Sequence, residues 1–482
     1  EEDLSALHIR FNELDAAIAK SYSDYRRGCK ASTQVEVARA AKGLLAELFC
    51  RFDPADINPK HGPGAVATKQ KHSGKYLWTN ISDKIRSVYP VDEYFFVNLD
   101  HVTDRVDALQ AIDDKDLPAR VIMVPKDSRG PRLISSEPVD KQWVQQGLGA
   151  RIVELVERHR LTRWNVNFTD QSPNQRGALL GSKTGRYATL DLNEASDRVS
   201  TDLVRLLFPE HVFTYLESCR TSSTVLPDGT ELPLNKYAPM GSCLCFPILA
   251  LTVWAILTAA APDADTRESI LVYGDDVIVP TDFVENAIEQ LESFGLKINR
   301  DKSCTKGLFR ESCGMDAFNG IAVAPVRFRT VWSSSRRPDV YCSYIAYANE
   351  LHDRQCFITY DLIVGELYRL YGAIPEDTQI QSAPSLRDTS GCLKPLRRRF
   401  NKSLQKLEYY VWTSKARSET QVVDGWSMLL RFFAEAANRR PVPAPDRKWS
   451  SDESEEFYKT SGTFTVSQYT SRRTSLLVRR WR

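Results

Sequence analysis

Between Cys243 and Ala261 the chain reads CLCFPILALTVWAILTAAA without one charged residue, and no other stretch so limits what this polypeptide can become. A helix of that character has no face to give to water, so it either crosses a membrane or is wrapped on every side by protein. Pro247, two threonines and several alanines dilute the run, and no Lys or Arg closely flanks either end. Both features favour a buried helix. A chain of 482 residues exceeds one ordinary core, so several subdomains around a shared cleft are expected to supply the wrapping. The hydrophobic content of 42% beside 26% charged residues is that of a globular protein.

Shortly after this run comes LVYGDDVIVP, residues 271 to 280. Two β-type runs separated by Gly and Asp predict a hairpin, and an ordinary turn would explain Asp275 and Asp276 on its own. A second acid-bearing strand changes the balance. YATLDL, residues 187 to 192, alternates as a strand does and carries Asp191 near its end. Neighbouring strands lie about 4.8 Å apart, so acids at the same end of adjacent strands can bracket two divalent cations roughly 4 Å apart, as phosphoryl transfer requires. Successive strand residues face opposite ways, which makes Asp275 the closer ligand and Asp276 the supporting one.

Cations for a polyphosphate are at hand. RVIMVPKDSRGPRLISSEP, residues 120 to 138, reads strand, turn, strand, with Arg120, Lys126, Arg129 and Arg132 along it. Net charge is only +2, yet from residue 391 onward there are 19 Lys and Arg against 9 Asp and Glu, leaving 45 against 53 for the rest. The basic clusters in that tail, Arg397-Arg398-Arg399, Arg439-Arg440, Arg472-Arg473 and Arg479-Arg480, suit a polyanion as well as they suit water. An acidic run from Asp452 to Glu456 is expected to fold back on basic surface. The ten cysteines have no CxxC spacing and the seven histidines form no ligand-like cluster, so zinc and disulfide frameworks are excluded and a reducing cytoplasm fits.

Elsewhere the pattern is coarser. Residues 1 to 55 look helical, and the Pro and Gly of RFDPADINPKHGPGA mark a loop. TVLPDGTELPL, residues 224 to 234, predicts a second hairpin. Asp282 and Glu285 resemble a capping box, and LKIN predicts a short strand. NVNFTDQSPNQRGALLG has little propensity for either regular structure. After residue 325 the pattern reads as mostly helical, including IAYANELHD and LQKLEYYVW.

YGDD at 273 to 276 resembles the palm motif of viral RNA-dependent RNA polymerases. With DLNEASDRVS at 191 to 200, PMGS at 239 to 242, VPKDSRGPRLISSEP at 124 to 138, DQSPNQRGA at 170 to 178 and GLFRESCG at 307 to 314, the chain resembles the replicase catalytic subunit of small RNA bacteriophages, the Q-beta and MS2 group. That resemblance implies an α+β right-hand polymerase. Residues 1–119 would be an N-terminal region with part of the fingers, 120–185 the fingers, 186–324 the palm, and 325–482 a mainly helical thumb with the basic C-terminal region. Residues 209–238 are open to assignment to the fingers. It further implies that Asp191, Asp275 and Asp276 hold two Mg²⁺ ions, for which Mn²⁺ can substitute, and that Lys126, Arg129 and Arg132 contact the incoming triphosphate. Asp197, Gly241 and Ser242 would position the ribose, although Asp197 follows Asp191 by six positions where many polymerases have five. Lys302, with Lys297 second, would be the general acid toward pyrophosphate. Arg310, in the FRES segment, would grip RNA at the palm and thumb junction, and Arg397, Arg398, Arg472 and Arg473 would track its backbone. The implied partners are RNA template and product, nucleoside triphosphates, host elongation factors Tu and Ts and a ribosomal small-subunit protein, in the cytoplasm of an infected bacterium without a membrane. Two rivals stand beside this reading. A reverse transcriptase usually has an aromatic residue just after the first metal aspartate, where this chain has Leu192, Asn193 and Glu194. An RNA-binding protein without catalysis would use the acids only to close a hairpin.

Overall fold

The computed structural model describes residues 10–18, 20, 33–70, 72–127, 130–380, 382–389, 395–422, 424–437 and 468–482, with an α+β architecture. Its chain divides into two compact units, Glu1–Ala324 with Val423–Ser467, and Pro325–Val422 with Gln468–Arg482.

The first unit is built around the uncharged run. Residues Cys245–Ala260 form a helix in which every position from Pro247 to Thr258 is buried. It packs against the Thr33–Leu48 helix, the Val284–Ser293 helix and one strand of a central sheet, so each of its apolar faces meets another apolar surface. Thr252 satisfies its hydroxyl within the helix, donating to the Ile248 carbonyl at 2.8 Å. Among the described residues no helix is long and apolar enough to cross a membrane.

Two sheets matter to the site. β1 (Ala119–Asp127) and β2 (Gly130–Ser136) form the expected cationic hairpin. β3 (Tyr187–Leu190) lies apart from them, in the central sheet. β4 (Ser223–Val225) and β5 (Glu231–Pro233) are the second expected hairpin, and β4 adds to β1 in parallel, giving the order β2-β1-β4-β5. β6 (Leu271–Tyr273) and β7 (Asp276–Pro280) form the acid-tipped hairpin, and β3 pairs with β7 to give the order β3-β7-β6. Ala188, Leu190, Val272, Val277 and Val279 anchor this sheet in the core. LKIN is not a strand. It makes a single bridge, Ile298 to Leu192, and the chain beyond it bridges Cys304 to Thr189 on the edge of β3.

The other face of the central sheet is covered by a helix, Ser172–Thr184, where the sequence suggests no regular structure. Just before it Asp170 accepts the Ser172 amide at 2.9 Å in an Asx turn, and Pro173 lies in the first turn, where a missing N–H costs nothing. Gly177 and Gly181 let it lie close. A Cβ on Gly181 would come within 2.8 Å of the Tyr187 carbonyl oxygen, and one on Gly177 within 2.7 Å of Ile278 Cδ1. The same helix carries a small antiparallel sheet of β8 (Phe309–Ser312), β9 (Met315–Phe318) and β10 (Ile321–Ala322).

Residues 425–437 do not stay with the rest of the C-terminal region. Helix Gly425–Ala437 belongs to the first unit, where Trp426 stacks on His101 at 4.9 Å and 4° and donates to Asp104 at 3.0 Å. The expectation of a single region over 325–482 is corrected accordingly.

The second unit has helices Pro338–Asp353 and Phe357–Tyr371, sharing a core of Tyr341, Ile345, Leu367, Tyr371 and Leu386. Beside them lies a sheet of β11 (Arg398–Asn401), β12 (Lys406–Val422) and β13 (Gln468–Trp481), in that order. LQKLEYYVW is therefore mainly strand. Its aromatic and β-branched residues suit a pleated surface, and the pairing of Tyr410 with Trp481 and of Trp412 with Arg479 gives them cross-strand partners no helix would supply.

Candidate active site

Leu190 pairs with Val277 and Tyr273 with Asp276, so the chain leaves β3 at Asp191 beside the turn that carries Asp275 and Asp276. The turn is held open by Gly274, whose φ of +64° is left-handed. A side chain there would also run into the Phe246 ring, which packs edge-on against Tyr273 at 5.2 Å. Tyr273 in turn donates its hydroxyl to the Phe168 carbonyl at 3.1 Å. Both residues of the YG pair thus serve to aim the two acids that follow.

Each acid has its own surroundings. Asp191 is gripped by the segment along the β3 edge: Asn299 Nδ2 donates to its Oδ2 at 2.8 Å, Lys302 Nζ stands 3.6 Å from the same oxygen, and its amide donates to Ser303 Oγ at 3.0 Å. Asp275 reaches solvent at the hairpin tip. Crowding by protein on its other side, with the charge of Asp191 adding, raises its carboxyl above the ordinary range, while Arg132 and Lys302 pull it down. Asp276 is pushed up to about 7, by burial first and then by Asp275 and Glu311. The Cys313 amide opposes that shift by donating to Asp276 Oδ2 at 3.2 Å. Cys313 and Gly314 form the left-handed turn between β8 and β9, with φ of +51° and +75°. A non-glycine residue in that region costs about 1 kcal/mol or more, and here it supports the amide that meets Asp276.

Electrostatically, the sheet end is a concentration of carboxylate charge, countered at Asp275 by Arg132 on β2 and by Lys302. Hard oxygen donors of this kind suit a divalent cation such as Mg²⁺. Among the described residues, however, no three His, Cys, Asp or Glu side chains stand close enough to hold a metal ion. The three acids share a sheet end without closing into a cage, since Asp191 and Asp276 are turned toward partners of their own.

Asp197 lies one short helical turn beyond Asp191 and pairs with Lys236 at 2.8 Å. Both line a cavity of about 320 Å³ whose wall includes Leu133, Ser135 and Met240. The thiol of Cys245, pushed up to about 12 by burial, also feels the charges of Asp197 and Asp275, so the cavity and the hairpin tip adjoin the same helix start. Gly241 and Ser242 have structural reasons of their own. Gly241 has a φ of +118°, a Cβ on it would strike the Ser135 carbonyl, and the Ser135 amide donates to Met240 O at 2.7 Å. Ser242 is 8% exposed and its amide closes the turn onto Pro239 O at 3.1 Å.

Arg310 is corrected. It is only 1% exposed, and its guanidinium donates to the carbonyls of Tyr187, Lys306, Gly307 and Phe309 at 2.5 to 3.3 Å. No side of it is left for RNA. Arg397 and Arg398 are exposed, in the second unit. Arg129 and the Asp452–Glu456 run lie outside the described residues, as do the side chains of Lys126, Arg472 and Arg473. Sequence reasoning missed Asn299, Glu311 and Cys313. The last two sit inside the FRESCG stretch, where the arginine draws attention to RNA and nothing local points to contact with Asp276.

An antiparallel sheet with acids at one end, backed by helices and fronted by a cationic hairpin, is a palm-type arrangement. A model of the family described as RNA replicase, beta-chain, matches residues 22–336. The chain belongs to that family. It is 35% identical over 205 residues to the RNA-directed RNA polymerase beta chain of Escherichia phage MS2, covering 42% of this chain and 36% of that one. With the RNA-directed RNA polymerase subunit beta of Qbeta virus (strain MX1) it shares 35% over 232 residues, covering 46% and 39%. The matches thus span well under half the length of these curated relatives. Among solved structures, the Sicinivirus 3Dpol RNA dependent RNA polymerase is 12% identical, with a TM-score of 0.35 over 65% of this chain and 82% of that one, a likeness too slight to weigh.

Proposed function

We propose that this chain synthesises RNA on an RNA template, joining the 3′-hydroxyl of a growing strand to the α-phosphate of a nucleoside triphosphate with release of pyrophosphate. One observation carries the reading: Asp191, Asp275 and Asp276 lie at one end of the central sheet, with Lys302 3.6 Å from Asp191 and the charges of Arg132 and Lys302 both felt by Asp275. Asp191, Asp275 and Asp276 would hold divalent cations, Mg²⁺ or Mn²⁺, which when bound acidify the attacking hydroxyl and steady the leaving group. To join them the Asp191 carboxylate would have to give up its bond from Asn299. Arg132, with Lys126 and Arg129 on the same hairpin, neutralises the triphosphate. Asp197, beside its cavity, orients the ribose, where a 2′-hydroxyl separates RNA from DNA; Gly241 and Ser242 shape the cavity wall. Lys302 supplies the proton to pyrophosphate. No side-chain nucleophile is needed, so the protein contributes position and charge.

Names of the relatives as beta chains or subunits support work within a larger assembly, in the cytoplasm of an infected bacterium, and the phage-replicase resemblance extends that to elongation factors Tu and Ts and a ribosomal protein. The test is incorporation of labelled ribonucleotides on an RNA template, with and without Mg²⁺ and with and without bacterial extract. Template-length, Mg²⁺-dependent RNA product is expected. Product from deoxyribonucleotides instead identifies a reverse transcriptase, and no product under any condition leaves an RNA-binding protein without catalysis.

A further inference from the structure

The second unit carries a feature that nucleotidyl transfer does not use. On the sheet face that includes Tyr410 and Trp481, guanidinium groups stack on aromatic rings: Arg399 lies over Trp481 at 4.5 Å, Arg397 over Tyr410 at 5.6 Å, and Arg479 over Trp412 at 4.7 Å. The register explains the arrangement. Tyr410 pairs with Trp481, Trp412 with Arg479 and Arg399 with Glu408, so period-two alternation sends all of them to one side. Tyr410 and Trp481 are themselves in contact, with centroids 5.2 Å apart.

One end of this face is committed to packing. Trp412 donates its indole N–H to the Tyr371 carbonyl at 2.7 Å, and Arg479 donates to the same oxygen at 2.9 Å. Toward the other end Arg397 and Arg399 are exposed, and Tyr410 and Trp481 beneath them are half-buried. Glu408 is the one acid among these residues; it is neutralised by Arg399 at 2.8 Å and Lys406 at 3.9 Å and accepts from the Asn401 amide at 3.0 Å. The result is a strip with excess positive charge and flat π surface. A guanidinium already laid on a ring has lost little further freedom when a second flat group stacks on its outer face.

We propose that the Arg397, Arg399, Tyr410 and Trp481 strip is a docking platform for single-stranded RNA, held by base stacking and phosphate pairing and indifferent to sequence. Both halves of the chemistry are needed: bases have π-faces that stack on aromatic rings and guanidinium planes, and the backbone supplies the anions. A duplex hides its base faces and so lacks the first half. An acidic protein partner would supply the second half only. The proposal rests on the reading that this chain handles RNA, and it assigns the strip to strand that is not being paired or extended.

The test uses the full chain and a fluorescein-labelled oligoribonucleotide of mixed sequence in Mg²⁺-free buffer, read by anisotropy. A ring that stacks a base is lost with the side chain, so combined Tyr410→Leu and Trp481→Leu replacement is expected to weaken single-strand binding by about tenfold or more. Binding of a duplex of the same length is expected to change by less than about twofold. Because those rings are half-buried, two gentler variants accompany them. Arg397→Ala, at an exposed position, should flatten the salt dependence by close to one phosphate contact. Trp481→Phe keeps a stacking ring, so affinity should hold, while the part of the RNA-induced tryptophan quenching due to residue 481 disappears. Unchanged quenching in Trp481→Phe, or equal losses for single strand and duplex, overturns the proposal. Loss of the platform with normal nucleotide incorporation on saturating template leaves the polymerase reading intact; intact platform binding without incorporation sinks only the latter.

Discussion

A buried guanidinium that donates to four carbonyls is costly to remove, because the hydrogen bonds to Tyr187, Lys306, Gly307 and Phe309 go with it and a side-chain site only 1% exposed is left to fill. Arg310→Met should lower unfolding free energy by about 2–4 kcal/mol in urea titration, while RNA affinity of the folded fraction stays the same; a drop in affinity without loss of stability would restore a direct RNA role. The acids differ from this arginine in how much of their role is local. Asp275 and Asp276 can be read from ten residues, since a Gly-Asp turn between β-type runs states its geometry locally. Asn299, 108 positions from Asp191, and the Cys313 amide, 37 positions from Asp276, cannot. Their roles exist only through an adjacency that the fold creates. Arg310 shares that difficulty: its motif marks the correct neighbourhood, but charge alone does not say whether an arginine faces water or carbonyls.

At the level of elements, close approach decides what substitution does. Gly181 sits where the Ser172–Thr184 helix meets β3, and Gly43 sits on the exposed side of the Thr33–Leu48 helix with nothing within 4 Å of the place a methyl group would take. Gly181→Ala should therefore destabilise by about 1–3 kcal/mol through overpacking against backbone, and Gly43→Ala should stabilise by about 0.5–1 kcal/mol through lost unfolded-state freedom. Thermal melts of the two variants check the pair, and opposite signs are required. The hairpins at 119–136, 223–233 and 271–280 are legible in the sequence because turn residues and alternating runs are local signals. DQSPNQRGA is opaque there, since the turn at Asp170 and the polar residues that open the helix from Ser172 have the composition of a loop. LQKLEYYVW misleads because apolar spacing over nine residues fits both periods, and only one of its two strand partners, β11, is close in sequence, the other arriving from beyond residue 468.

Over the whole molecule, the near-neutral total conceals a division of labour. The acids that matter are in the first unit, and Arg397, Arg399, Arg479 and Arg480 are in the second. The tail asymmetry is visible by counting residues, whereas the return of Gly425–Ala437 to His101 and Asp104 is not, because packing of one helix against a distant turn leaves no periodic trace. The central claim concerns the acid-tipped hairpin, and Asp275→Asn tests it with little change of shape. Measured beside the parent protein, Asp275→Asn should cut Mg²⁺-dependent ribonucleotide incorporation by about a hundredfold or more while binding an RNA oligonucleotide equally well. Incorporation by Asp275→Asn at the parental rate would contradict the account.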